Sequence, residues 1–90
     1  MPFWHLSEGI TFTRIDNEGI IVNPTQGHYL SLNAVATRML TACLEQTSKD
    51  AAIHAIQLRI NADTDTILRG LDRLEASLRS HRALADRSEE

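Results

Sequence analysis

Four histidines, one cysteine and twelve carboxylates are the side chains of this 90-residue sequence that could ligate a metal or attack a substrate. His5, His28, His54 and His81 show no metal-ligand spacing, and no second cysteine or clustered carboxylates accompany them, so no metal is expected. Cys43 follows Met39 and Leu40 and precedes Leu44 on one apolar helical face, which suits a small buried hydrophobe better than a nucleophile. No glycine-rich phosphate loop, serine elbow or paired-acid arrangement is present, so neither a cofactor nor a catalytic role is expected. What remains is the chemistry of the backbone itself, and the stretch that exposes it is "HYLSL", residues 28–32.

Ninety residues suffice for one domain without disulfide or metal staples. A core built on Leu, Ile and Ala, with only 4% aromatic residues, leaves little room for a deep enzyme pocket. The net charge of -3 supplies no general attraction to nucleic acid or anionic lipid. A single cysteine, no signal-peptide pattern in "MPFWHLSEG" and no apolar run of membrane-spanning length together point to a cytoplasmic protein.

The elements follow from periodicity. "ITFTRI" (10–15) alternates and is rich in β-branched residues, "DNEG" turns the chain, and "IIVN" (20–23) forms a second strand. Asn23-Pro24-Thr25-Gln26-Gly27 makes the next turn, with Gly27 free to take positive φ. In the third strand His28, Leu30 and Leu32 point one way and Tyr29 and Ser31 the other, Tyr29 being expected as a half-buried sheet residue. Asn33 then caps a first helix whose face is Ala36, Met39, Leu40, Cys43 and Leu44, ending near Gln46. Thr47 or Ser48 caps a second helix with the stripe Ala52, Ile53, Ile56 and Ile60. Asp63 or Thr64 caps a third, carrying Ile67, Leu71, Leu74 and Leu78 with Leu68 beside them. Phe3, Trp4 and Leu6 are too apolar for a free terminus and are expected along the sheet or over a core edge. A domain over residues 1–84 and a polar, disordered tail over 85–90 complete an α+β chain of three antiparallel strands followed by three helices.

A three-stranded meander leaves two edges of unpaired N–H and C=O groups, and "HYLSL" has neither the Lys nor the Pro that usually blunts one. An extended peptide could join that edge and drop alternate side chains onto the aliphatic third helix. Taken alone, Leu71, Leu74 and Leu78 fit simple core packing better than a groove. Gly70 inside the third helix costs about 1 kcal/mol against alanine and signals that something packs close to that turn.

Residues 18–40, "EGIIVNPTQGHYLSLNAVATRML", resemble the PqqD-like peptide-recognition domains, whose pattern is a turn, an aliphatic strand, T-x-G-x-Y-x-x-L-N and a helix. Thr25, Gly27, Tyr29, Leu32 and Asn33 fall on that motif in order, and the resemblance extends over residues 5–84. It implies a winged helix-turn-helix-like fold that binds the leader of a ribosomally synthesised precursor peptide and presents it to a separate processing enzyme. The form "GHYLSLN" looks closer to the stand-alone versions of lasso-peptide pathways, which work with a separate leader peptidase and a cyclase, than to the pyrroloquinoline-quinone chaperone. Carried onto this sequence, the resemblance implies that the backbone of His28, Tyr29, Leu30, Ser31 and Leu32 pairs with the leader. Ile67, Leu68, Leu71, Leu74 and Leu78 become the candidates for an apolar wall, and Asp72 and Glu75 could meet a basic or hydroxyl-bearing leader residue. Four positions depart from the family: Gly70 replaces a common Asp, Met39 a common Trp, and Arg82-Ala83 a Gly-Leu pair.

Two other classes share this architecture. A winged-helix DNA-binding protein would need a basic recognition helix, whereas Arg69, Arg73 and Arg79 are answered on the same helix by Asp72 and Glu75, so no nucleic-acid partner is expected. A small oligomerisation module would pair two copies of the same strand edge into a homodimer.

Overall fold

The computed structural model describes residues 2–25 and 27–85. Three strands, β1 (Thr11–Ile15), β2 (Glu18–Asn23) and β3 (His28–Leu32), are followed by three helices, α1 (Ala34–Glu45), α2 (Lys49–Gln57) and α3 (Thr64–Ser80). The strands form an antiparallel sheet in the order β1-β2-β3, the meander read from the sequence. Asp16, at φ 57, supplies the left-handed turn that lets a two-residue loop join β1 to β2, and Gly27 takes φ 70 in the next turn.

The registers define two faces. Phe12 pairs with Ile21 and Ile21 with Leu30, so these side chains share the inner face, together with Leu32 opposite Gly19. Ile21 and Leu32 are buried there. The outer face carries Ile15 and Tyr29, 57% and 71% exposed, so Tyr29 is a solvent-facing residue and not the half-buried one expected. No second layer covers the outer side of this sheet among the described residues, and an alternating strand must put one of its two sets of side chains there.

Each helix starts at a side-chain cap. Asn33 Oδ1 accepts from the Ala36 N–H at 2.8 Å, Ser48 Oγ from Ala51 at 3.1 Å and Asp63 Oδ1 from Thr66 at 2.8 Å. Of the two residues considered for the second and third caps, Ser48 and Asp63 serve. The second helix stops at Gln57, before Ile60, because the chain tightens: Arg59 N–H donates to Ile56 O at 3.0 Å, a three-residue step. Ile60 still packs against the core from outside the helix.

α1 packs against β2, β3, α2 and α3, and so forms the middle of the molecule. Leu40 and Cys43 of α1, Ile56 of α2 and Ile67 and Leu78 of α3 are among its fully buried side chains. Burial, with a smaller contribution from the Glu75 carboxylate, pushes the Cys43 thiol up to about 12, which leaves no thiolate nucleophile at neutral pH.

The N-terminal segment covers a core edge away from β3. Phe3 N–H donates to Gln46 O at 2.7 Å and Trp4 N–H to Cys43 O at 2.9 Å, satisfying carbonyls at the C-terminal end of α1, and Trp4 is buried. Leu6 pairs with Leu84, and Ala85 N–H donates to His5 O at 2.8 Å, so Ala85 is bonded to the domain while 86–90 lie outside the described residues.

α3 ends in a Schellman motif: Ala83 N–H reaches Leu78 O at 2.7 Å and Arg82 N–H reaches Arg79 O at 3.0 Å. Arg82 occupies the left-handed position at φ 56, where an L side chain is disfavoured by about 1 kcal/mol or more. Arg82→Gly should therefore raise the unfolding free energy by about 1 kcal/mol, read as a higher urea midpoint at unchanged slope.

Asp63 has its carboxyl held below the usual range, first by its side-chain hydrogen bond with Thr66 and then by the Thr66 backbone N–H. A depressed folded-state value favours the charged form, so this contribution is complete above the ordinary Asp value of about 4 and fades as pH falls through the lower one. Urea titrations below about pH 4 should show Asp63→Asn losing less stability on acidification than the parent chain.

Candidate functional site

Pairing in an antiparallel sheet alternates, and a two-residue turn closes on a hydrogen-bonded pair, here Ile15 with Glu18. Alternation then turns the backbone groups of Gly19, Ile21 and Asn23 toward β3, to meet Leu32, Leu30 and His28. The N–H and C=O groups of Tyr29 and Ser31 face the other way. Among the described residues β3 has no strand beyond it, so these groups form an open margin.

Beside that margin lies a groove of about 330 Å³ between β3, the start of α1 and the middle of α3. Leu30, Leu32, Ala36, Met39 and Leu74 supply its apolar surface, and Ser31, Val35, Arg73 and Ser77 are among its polar and outer residues. Its depth is set by Gly70. A Cβ there would stand 2.7 Å from Met39 Cε and 3.2 Å from Met39 Sδ, so the methionine rests against bare α3 backbone. The close neighbour that a mid-helix glycine signalled is thus Met39 of α1.

The third-helix candidates divide. Leu74 lines the groove. Ile67, Leu71 and Leu78 are buried in the core and Leu68 is half-buried against it, none of them on the groove surface. Asp72 is exposed away from the lining, and Glu75 bonds Arg79 Nε at 3.0 Å across one helical turn. The strand candidates Leu30, Ser31 and Leu32 line the groove, whereas His28 and Tyr29 belong to a separate concavity at the β2–β3 turn with Ile20 and Val22. Val35, Ala36, Met39, Arg73 and Ser77 also line the groove, and neither the strand edge nor the third-helix stripe points to them. Only Gly70 carried a signal, because its helix cost needs a packing reason.

On the far side of α1, a cleft of about 330 Å³ gathers Arg14, Arg38 and Arg59 with Asp16 and Glu45. Charges of both signs line it, as they do α3, so neither surface presents the continuous positive stripe that duplex DNA requires. Among the described residues, no three His, Cys, Asp or Glu side chains are placed to hold a metal ion, and no helix is long and apolar enough to cross a membrane.

A sequence model of the family described as coenzyme PQQ synthesis protein D (PqqD) matches residues 18–84, from the start of β2 to the strap after α3. The chain belongs to the PqqD family. No curated protein matches this PqqD-family chain. Among solved structures it is similar to TbiB1 in complex with the TbiA(beta) leader peptide, at 25% identity and a TM-score of 0.77, over 90% of this chain and 98% of that one. The sheet followed by three helices therefore agrees with the architecture expected from the "TQGHYLSLN" motif.

Gly70→Ala tests the described packing. Alanine should add about 1 kcal/mol of helix propensity, which displacement of Met39 offsets. The expected result is a small net change in stability together with a large shift of the Met39 methyl resonance, as the thioether moves into the groove.

Proposed function

We propose that this PqqD-family chain holds the leader of a ribosomally synthesised precursor peptide as an added strand on β3 and presents it to a separate processing enzyme. The observation that carries this reading is the open margin at Tyr29 and Ser31 alongside an apolar groove. An extended chain satisfies its backbone on such a margin and places every second side chain in the trough. The likeness to TbiB1, solved with a leader peptide, supports the same assignment. In this reading the chain is a non-catalytic cytoplasmic adaptor, and the covalent step belongs to its partner, a leader peptidase in a lasso-peptide pathway. The far side of α1 and the outer sheet face remain free for that partner while the leader is bound.

Backbone substitution separates the two sides of β3. Ser31→Pro removes an N–H from the open margin, whereas Leu30→Pro removes one that faces β2 and should damage the fold itself. Calorimetry with a synthetic leader, taken from a precursor reading frame beside the gene, should give micromolar or tighter binding. Ser31→Pro, folded by circular dichroism, should weaken it about tenfold or more, the loss of a strand hydrogen bond and its geometry. Equal affinity of the folded proline variant would remove strand addition.

A further inference from the structure

Among the described residues lining the groove, Arg73 is the only one with an ionisable side chain. It is exposed and takes no part in an ion pair or hydrogen bond among the described residues. Its two acidic neighbours on α3 do not answer it: Glu75 is held by Arg79 at 3.0 Å, and Asp72 lies off the groove lining. A lone guanidinium therefore stands at the rim of a largely apolar trough, where a bound strand would exclude water and a carboxylate would gain more than at an open surface.

We infer that Arg73 is a specificity-determining residue that selects leaders carrying an Asp or Glu on the groove-facing side, two positions from an apolar residue. The inference rests on the leader-binding reading and adds the chemistry of the ligand. A strand laid on β3 repeats its groove-facing side chains about every 6.7 Å, while α3 presents Gly70, then Arg73 and Leu74, then Ser77 at successive turns of about 5.4 Å. The two spacings are near enough for one leader side chain to cover Met39 at the Gly70 turn while the next on the same face reaches Arg73, one turn further along α3. The net charge of -3 gives the molecule as a whole a repulsion toward acidic peptides, so a preference for them requires a local cation. It also reverses the polarity expected from Asp72 and Glu75, which would have favoured a basic leader.

A phage-displayed library of random dodecapeptides, selected on the full chain, tests this. Peptides that bind the parent and lose binding to the folded Ser31→Pro variant should be enriched in an acidic residue two positions from an apolar one. Exchanging that acid for its amide in a synthetic copy should weaken binding about tenfold by fluorescence anisotropy, with the effect shrinking in high salt. Arg73→Gln should abolish the acid–amide difference, and Arg73→Glu should favour a lysine at the same position. A selected pool sensitive to Ser31→Pro but indifferent to charge would overturn the role of Arg73 and leave strand addition standing. A pool insensitive to Ser31→Pro would overturn both.

Discussion

Two backbone hydrogen bonds near the N-terminus determine what this fold can offer. By donating to Gln46 and Cys43 at the end of α1, Phe3 and Trp4 hold the first segment against the helices, and the Leu6–Leu84 pairing carries it along the C-terminal strap. The same apolar segment laid along β3 would have completed the sheet and buried the margin. Held instead at the last carbonyls of α1, where Trp4 is buried, the segment leaves β3 as the last strand of the sheet among the described residues.

A second constraint gives the margin a companion surface. α1 touches the sheet on one side and both other helices on the other, so β3 and α3 are spaced by its width and a trough opens above Ala36 and Met39. Removing one Cβ, at Gly70, lets Met39 sit flush against α3, which seals the trough floor without filling it. Helix stability is given up at this turn for a groove whose base is a flexible, polarizable side chain.

Electrostatics separates the groove from the rest of α3. The Glu75–Arg79 pair is an ordinary exposed i, i+4 contact, consistent with a solvated helix face. Arg73, two residues before Glu75 and on the groove side, has no such partner among the described residues. A helix that counts as charge-balanced in sequence is thus asymmetric in space, and the excess sits where a bound strand would pass.

Periodicity and capping chemistry determined most of the fold by themselves. The change from alternation to a 3.6-residue period at Asn33, the turn chemistry of Asn23 to Gly27 and the caps at Asn33, Ser48 and Asp63 are local properties, so the order of three strands and three helices was legible. The stripe Ile67, Leu71, Leu74 and Leu78 was legible as well, and all four are buried. Which of them also reaches a groove was not, and only Leu74 does. The groove adds Ala36, Met39 and Arg73 to Leu30, Leu32 and Leu74, and the residues that face one another across it come from different elements. Periodicity records how apolar residues fall around one helix, whereas a trough exists only between elements, and its walls are decided when α1, α3 and β3 are brought together.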